Sequence, residues 1–472
     1  MKLLFVTSEL APFNSTGGLA YVSQSFPRQL RLRGVDARIV APRFGAGLAP
    51  HEARLQTVDR FEVVMAGEHQ PCELQRLEHD GNLIYFIGND RYFGRERLYG
   101  YPDEAQRFAF FNRAVLALVA SGEFTPDVIH CNDWVSALLP YWLRAERTLR
   151  AKTVLHIRNL RYQGIFPART CEPLGLRWPS LCEQGLDFYG HLNLLKLGIR
   201  HADLLFTSSP SYAEEILTDG HDPLTPALQQ RREALHGVLE GLDLEVDDPR
   251  TDARLFQRYG IETAAQGKAA NKAALQAEAQ LPQRPEVPLV GWINRLTTQK
   301  GVELLRLAIA NGLLDEDLQL VVCADGDPMF VRELQADAQR HAGKLVVQPY
   351  DERTAYRLYA ASDLYLMPSV YEPGGIAQLI SMRYGSVPVV RATGGLRDTV
   401  QPYDPATGAG TGFSFDYRNA WLMLHTLRQA LALYRDPPRW QQLVRNAMQR
   451  DCSWRQPVDR CLALYDRLLA AP

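Results

Sequence analysis

Several short runs in this chain combine residues that do chemistry with glycines that let a backbone approach a ligand. In Trp292-Ile293-Asn294-Arg295-Leu296-Thr297-Thr298-Gln299-Lys300-Gly301, a short loop can fold two cations around one anion. A diphosphate leaving group gains negative charge as its bond to a sugar breaks, and two preorganised cations stabilise that charge. Surface cations near a helix start are the plainer alternative. In Tyr371-Glu372-Pro373-Gly374-Gly375-Ile376-Ala377-Gln378, the glycines open a helix. That arrangement turns Glu372 and free backbone N–H groups toward a ligand. Arg391-Ala392-Thr393-Gly394-Gly395-Leu396-Arg397-Asp398 repeats the logic one strand later. Two glycine-rich loops behind neighbouring strands are more specific than one.

The first half of the chain carries three further clusters. Pro12-Phe13-Asn14-Ser15-Thr16-Gly17-Gly18-Leu19 precedes a helix whose first N–H groups suit a phosphate or sugar oxygen. It is neither a GxGxxG nor a Walker loop, and an ordinary turn is the alternative. His130-Cys131-Asn132-Asp133-Trp134 matches no zinc spacing. Asp133 there either faces a site or caps a helix beginning near Val135. His156-Ile157-Arg158-Asn159-Leu160-Arg161-Tyr162-Gln163-Gly164 gathers two guanidinium groups, an amide and a phenol. Arg158 suits a carboxylate or phosphate, or alternatively a buried ion pair.

Each cluster follows a short apolar run. Leu3–Thr7, Ala37–Ala41, Leu83–Ile87, Asp127–His130, Thr153–Ile157 and Leu204–Thr207 read as strands, with helices over Gly18–Arg33 and Ala105–Ala120. A second series has strands at Val287–Trp292, Leu318–Cys323, Leu345–Gln348, Leu364–Met367 and Val387–Val390. The spacing predicts an α/β protein of two Rossmann-like doubly wound domains, with ligand sites at the carboxyl ends of their strands and a cleft between them. Gly241 to Pro285, charged and rich in Ala and Gln, reads as the boundary region. The domains are set at 1–245 and 246–455, with 456–472 as a final amphipathic helix returning to the first.

The chain has 472 residues, ordinary apolar content and a net charge of -2. Intrinsic disorder and a disulfide-stapled miniprotein are excluded, and a nucleic-acid partner is disfavoured. Only seven of the 52 basic residues are lysine, which makes Lys300 stand out. No apolar run is long enough to span a bilayer, so no membrane partner is expected and the cytoplasm is the expected compartment.

Taken in order, these motifs resemble the bacterial glycogen synthase and plant starch synthase family. The likeness runs from Ser8-Glu9 and Thr16-Gly17-Gly18-Leu19 through Asp133-Trp134, Asn159-Leu160 and Tyr162-Gln163-Gly164. It continues through Ser209-Pro210-Ser211-Tyr212-Ala213, Arg295-Leu296-Thr297, Gln299-Lys300-Gly301 and Glu372-Pro373, and ends at Thr393-Gly394-Gly395-Leu396 and Asp398-Thr399-Val400. The resemblance implies a GT-B fold and a retaining transfer of glucose from ADP-glucose, less often UDP-glucose, to an α-1,4-glucan or oligosaccharide acceptor, without a metal. It implies Glu372, Arg295 and Lys300 as catalytic residues. Donor contacts fall to Thr16, Gly17, Gly18, Arg295, Lys300, Gly375, Thr393, Gly394 and Gly395. Further substrate contacts fall to Asp133, Arg158, Asn159, Tyr162 and Gln163.

The chain departs from the family pattern at Ser15 (usually Lys), Tyr21 (Asp), Asn132 (His), Arg158 (His), Gly374 (Cys) and Glu240 (Asn). Those departures leave two alternatives to a working synthase. One is a related retaining transferase with a different, anionic donor or acceptor. The other is a catalytically impaired glucan- or nucleotide-sugar-binding partner of an active synthase paralogue.

Overall fold

The computed structural model describes residues 1–146, 150–218, 220 and 222–470. They form two compact units, Met1–Leu239 with Trp454–Pro472, and Glu240–Ser453.

The strands of the first unit are β1 (Lys2–Val6), β2 (Asp36–Pro42), β3 (Gln56–Met65), β4 (Glu68–His79), β5 (Asn82–Gly88), β6 (Val128–Asn132), β7 (Lys152–Ile157), β8 (Ile165–Pro167), β9 (His191–Asn193), β10 (Leu204–Thr207) and β11 (Leu235–Gly237). Nine of them make one sheet in the order β11-β10-β7-β6-β1-β2-β5-β4-β3, and β8 and β9 form a separate ribbon. All neighbours are parallel except along β3, β4 and β5. The central strands carry apolar residues on both faces, as a sheet covered by helices on both sides requires; Leu3 to Val6 are all fully buried. The order changes direction between β1 and β6. That switch point sets the loops after β1 and β6 side by side at the carboxyl end, where such sheets bind ligands.

The second unit holds β12 (Leu289–Ile293), β13 (Gln319–Cys323), β14 (Leu345–Gln348), β15 (Leu364–Met367), β16 (Val387–Arg391) and β17 (Phe413–Phe415). They form a wholly parallel sheet ordered β14-β13-β12-β15-β16-β17. Its switch point lies between β12 and β15, so the Arg295–Lys300 loop and the Glu372 loop emerge together.

The sequence reading misses the β3–β4 hairpin, whose outer strand is mostly exposed and lacks an apolar face. Residues 240–285 belong to the second unit, and the division falls at Leu239/Glu240 rather than after 245. Several charges of this region are buried partners. Asp247 accepts from Tyr356 Oη at 2.6 Å, and Asp252 accepts from Tyr384 Oη at 2.7 Å. Asp248 pairs with Arg383 at 2.9 Å. On the helix Ala264–Glu278, the buried Lys268 ammonium donates to the carbonyls of Ala360, Ser362 and Tyr384, at the ends of two other helices. Lys272 pairs with Asp363 at 2.7 Å.

The last helix, Arg455–Ala470, packs within the first unit. Its Tyr465 hydroxyl bonds His130 Nδ1 at 2.7 Å, and its ring stacks on Phe206. Among the described residues no helix is long and apolar enough to cross a membrane.

Removing one partner of a buried ion pair costs about 3–5 kcal/mol, because the other charge is left uncompensated. Lys272→Met is therefore expected to lower the stability of the second unit by about 3 kcal/mol. The denaturant midpoint of that unit's unfolding reads the effect, and an unchanged midpoint would refute it.

Candidate active site

In the first unit the loop after β1 is organised by Glu9, which the motif reading left out of the site. The Glu9 carboxylate accepts from Thr16 N–H (2.7 Å), Thr16 Oγ1 (2.7 Å), Gly17 N–H (3.1 Å) and Tyr99 Oη (3.1 Å). The donors expected to meet a ligand at Thr16 and Gly17 are thus already used. The open donors are the next two in the chain. The N–H groups of Gly18 and Leu19, at the start of the helix Gly18–Leu32, make no hydrogen bond among the described residues. A carboxylate directly after an apolar strand is the signal that marks Glu9. Tyr99 has none, since only the fold brings it there.

After β6, Asp133 holds φ 55° and ψ −174°, a region that costs a non-glycine residue on the order of 1–3 kcal/mol. It caps no helix with its side chain. Its Oδ1 instead accepts the N–H of Arg158 at 2.8 Å and of Asn159 at 3.4 Å, joining the loops after β6 and β7. Burial raises its pKa from 3.8 to about 7, against the pull of the Arg158 and Asn159 N–H groups and the Arg158 charge.

Two departures from the family pattern prove to be one feature: Arg158 Nε donates to Asn132 Oδ1 at 3.0 Å. The Asn132 amide in turn donates to Val6 O at 2.9 Å. Beneath them His130 and His156 lie 3.3 Å apart, and burial, with the Arg158 charge, keeps both rings well below the usual histidine pKa.

Tyr162 is half exposed, whereas Gln163 is buried. The Gln163 amide is spent on Asp222 (3.3 Å) and Asn193 (2.8 Å), so it builds the wall rather than offering a free group. Gly164 has φ 63°, and a Cβ there would come within 2.5 Å of the Trp134 ring. Ser15 is exposed.

In the second unit Glu372 is 5% exposed. Lys300 Nζ donates to both its oxygens, at 2.6 and 2.9 Å, and Ser369 Oγ adds a bond at 2.9 Å. Arg391, at the end of β16, fixes the same turn by donating to the carbonyls of Ser369 and Val370. Arg295 is exposed and makes no ion pair among the described residues. Beside it, Asn294 Nδ2 is buried with no partner among the described residues.

The glycine loops serve each other. A Cβ at Gly394 would overlap the Glu372 carbonyl oxygen, and one at Gly395 would overlap Gly374 O. Gly395 N–H donates to Glu372 O at 2.9 Å, and Gln378 joins Gly374, Gly375 and Thr399. Gly394, Gly395 and the buried Thr393 therefore seat the Glu372 turn. Gly375 has φ 79° ahead of the helix Ala377–Arg383. Among the described residues no group of three or more His, Cys, Asp or Glu is arranged to hold a metal ion.

Two doubly wound units, each with polar loops at its switch point and one with a buried lysine–carboxylate pair there, have the architecture of a glycosyltransferase of GT-B type. Residues 2–230 match the starch synthase catalytic domain family, and residues 276–450 match glycosyl transferases group 1. Named glycogen synthases from Desulforamulus reducens and Geobacillus stearothermophilus are each 40% identical to the chain. The matches cover 99% of this chain and 99% and 98% of theirs. The catalytic domain of starch synthase IV from Arabidopsis thaliana, solved with ADP and acarbose, superposes with a TM-score of 0.93 at 30% identity over 99% of both chains. A sucrose-phosphate synthase from Thermosynechococcus elongatus, 16% identical with a TM-score of 0.63, shares the fold. The chain belongs to the glycogen and starch synthase family.

Two measurements test this geometry. Asp133 is protonated in the folded chain and ionised in the unfolded one between pH 3.8 and about 7. Its contribution to stability therefore falls as pH rises across that window and is flat above it. Asp133→Asn, which keeps an acceptor for the Arg158 N–H, is expected to remove that slope from a plot of Tm against pH; parallel wild-type and variant curves would contradict the assignment. Secondly, Asn132→His and Arg158→His are expected to be non-additive in stability by about 0.5–3 kcal/mol, because the pair is in contact. Additive losses would show the two positions to be independent.

Proposed function

We propose that this chain moves glucose from ADP-glucose to the non-reducing 4-hydroxyl of an α-1,4-glucan with retention of configuration. The carrying observation is the set Arg295, Lys300 and Glu372 at the switch point of the second unit, in a chain alignable end to end with named glycogen synthases. The ADP and acarbose in the starch synthase IV structure support an adenine nucleotide and a glucan-like acceptor.

In this reading Lys300 rests on Glu372 until donor binds. The diphosphate then takes up Lys300 and Arg295, and the two cations stabilise the charge that develops as the glycosidic bond to phosphate breaks. Glu372, relieved of its ammonium, sets negative charge near the sugar ring as that ring gains positive character. The donors at Gly18 and Leu19 suit the nucleotide-sugar oxygens. Asp133, Arg158, Asn159 and Tyr162 line the acceptor side in the first unit. A departing phosphate that assists attack from its own face accounts for retention without a second carboxylate. The coupled Asn132–Arg158 pair rebuilds the wall where the family has two histidines, which favours a working synthase over an impaired one. All seven cysteines are free thiols, in keeping with a cytoplasmic enzyme.

Arg295→Ala is a clean test, since Arg295 holds no other side chain. It is expected to lower kcat/KM for incorporation of labelled glucose from ADP-glucose into glycogen by about 10²–10³-fold, with Tm unchanged. Activity within about threefold of wild type, below the effect expected of a transition-state contact, would sink the role of Arg295. No incorporation by the folded wild type from ADP-glucose or UDP-glucose would sink the reading.

A further inference from the structure

The buried histidines of the first unit belong to a longer polar line. The last helix, Arg455–Ala470, meets the sheet through Tyr465, whose hydroxyl lies 2.7 Å from His130 Nδ1. His130 Nε2 faces His156 Nδ1 at 3.3 Å, and His156 Nε2 faces Ser208 Oγ at 3.5 Å. The line therefore runs from the helix across β6 and β7 to the residue after β10, with a hydroxyl at each end. All four side chains are buried. Residues two apart on a strand share a face, so Asn132 stands above His130 on β6 and Arg158 follows His156 past the end of β7. The Arg158–Asn132 bond, at 3.0 Å, sits directly on this line.

The chemistry of the line is restricted. Burial, with the Arg158 charge added to it, keeps both imidazoles well below the usual histidine pKa, so each ring is neutral near pH 7. A neutral imidazole has one N–H and one lone pair. Two polarities then satisfy every atom. Either Tyr465 donates to His130, His130 Nε2–H to His156 and His156 Nε2–H to Ser208, or every bond runs the other way. A mixture sets two N–H groups or two lone pairs against each other. A hydroxyl serves at either end because it both donates and accepts. The flanking groups are rings that offer no replacement partner. Phe5 stacks on His130 at 5.1 Å, and Phe206 meets both imidazoles edge-on and stacks on Tyr465 at 5.8 Å.

We propose that Tyr465 is a positioning residue for the acceptor wall: through His130 and His156 its hydroxyl keeps the Arg158 guanidinium seated on Asn132. Asn132 pairs in register with His156, and Asp133 N–H donates to His156 O at 2.9 Å. The two imidazoles are thus the floor under the loops that carry Asn132, Asp133 and Arg158. With one polarity fixed, each ring holds one orientation and the floor has one shape. A phenylalanine at position 465 keeps the ring stack but leaves His130 Nδ1 buried without a partner. An orphaned buried nitrogen is relieved by a turned ring or a changed tautomer, and the floor beneath Arg158 then samples more than one arrangement. The same line explains how a guanidinium stands where the family has a histidine, since the floor under it carries no charge. The inference rests on the reading of Arg158 as an acceptor-side group, and it adds a residue of the last helix to that site.

The test is nitrogen-15 NMR of the full chain labelled at histidine and arginine, which reports the nitrogen that carries each ring proton and the Arg158 Nε–H. One neutral tautomer is expected for each of His130 and His156 in the wild type. In Tyr465→Phe a mixture is expected, with the Arg158 Nε–H signal broadened. The same variant is expected to raise KM for a maltoheptaose acceptor about fivefold, the factor of one ordinary hydrogen bond, with kcat kept. That rise is expected to vanish in an Arg158→Ala background. Leu464→Ala loosens the packing of the same helix without touching the line, and is expected to lower Tm while leaving tautomers and KM alone. An equal rise in KM there, or a Tyr465→Phe effect that persists without Arg158, overturns the proposal. The two readings fail separately. Mixed tautomers and a broadened Arg158 signal in Tyr465→Phe, beside a wild type that transfers no glucose, sink the synthase reading alone. Unchanged tautomers or an unchanged acceptor KM in an active enzyme sink the role of Tyr465 alone.

Discussion

The Glu372 carboxylate is buried, and a buried carboxylate must be paired or give up its charge. The second unit is arranged around that requirement. Lys300 reaches it from the loop after β12 and Ser369 from the loop after β15. Arg391, at the end of β16, holds the Ser369–Val370 backbone that carries it. The turn sits so close to the start of the next helix that Gly394 and Gly395 admit no side chain. Three neighbouring strands thus converge on one carboxylate, and the parallel sheet with its switch point between β12 and β15 is what lets them converge. In the proposed reading the cation that neutralises Glu372 is the one that the donor diphosphate takes up, so the resting contact is the one exchanged on binding.

The first unit meets a similar constraint with different residues. Glu9 follows β1 and captures the N–H groups of its own loop, which fixes the path into the helix Gly18–Leu32 and leaves Gly18 and Leu19 as open donors. Asp133 does for the loops after β6 and β7 what Glu9 does after β1, at the cost of a strained backbone. In both cases a carboxylate organises the backbone of its loop. The Asn132–Arg158 bond shows how a changed site keeps its order: two substitutions that look like separate losses are held together by one hydrogen bond.

The architecture was legible in the sequence because it rests on local signals. Apolar strands buried on both faces read as short continuous runs, and helices between them read at their own period. The clusters at Arg295, Glu372, Thr393 and Asp133 follow strands, and parallel topology alone sends them to ligand-binding ends. What the spacing could not show is partnership. Glu9 with Tyr99, Lys300 with Glu372 and Asn132 with Arg158 are distant in the chain, and a hydrogen bond leaves no periodic trace in the residues between. For the same reason the partners of the acidic run after Gly241, which are Tyr356, Tyr384 and Arg383, show only in the folded chain.

By itself, then, the sequence determined the two parallel-sheet units, the loops that carry the chemistry and the family to which they belong, since each follows from residue type and short-range order. Only the tertiary structure decided what those groups do at rest. It showed that Thr16 and Gly17 are already engaged, that Gln163 is a wall, and that Gly394 and Gly395 are glycines for closeness to Glu372. Those outcomes depend on distances between atoms far apart in the chain, and folding alone sets those distances.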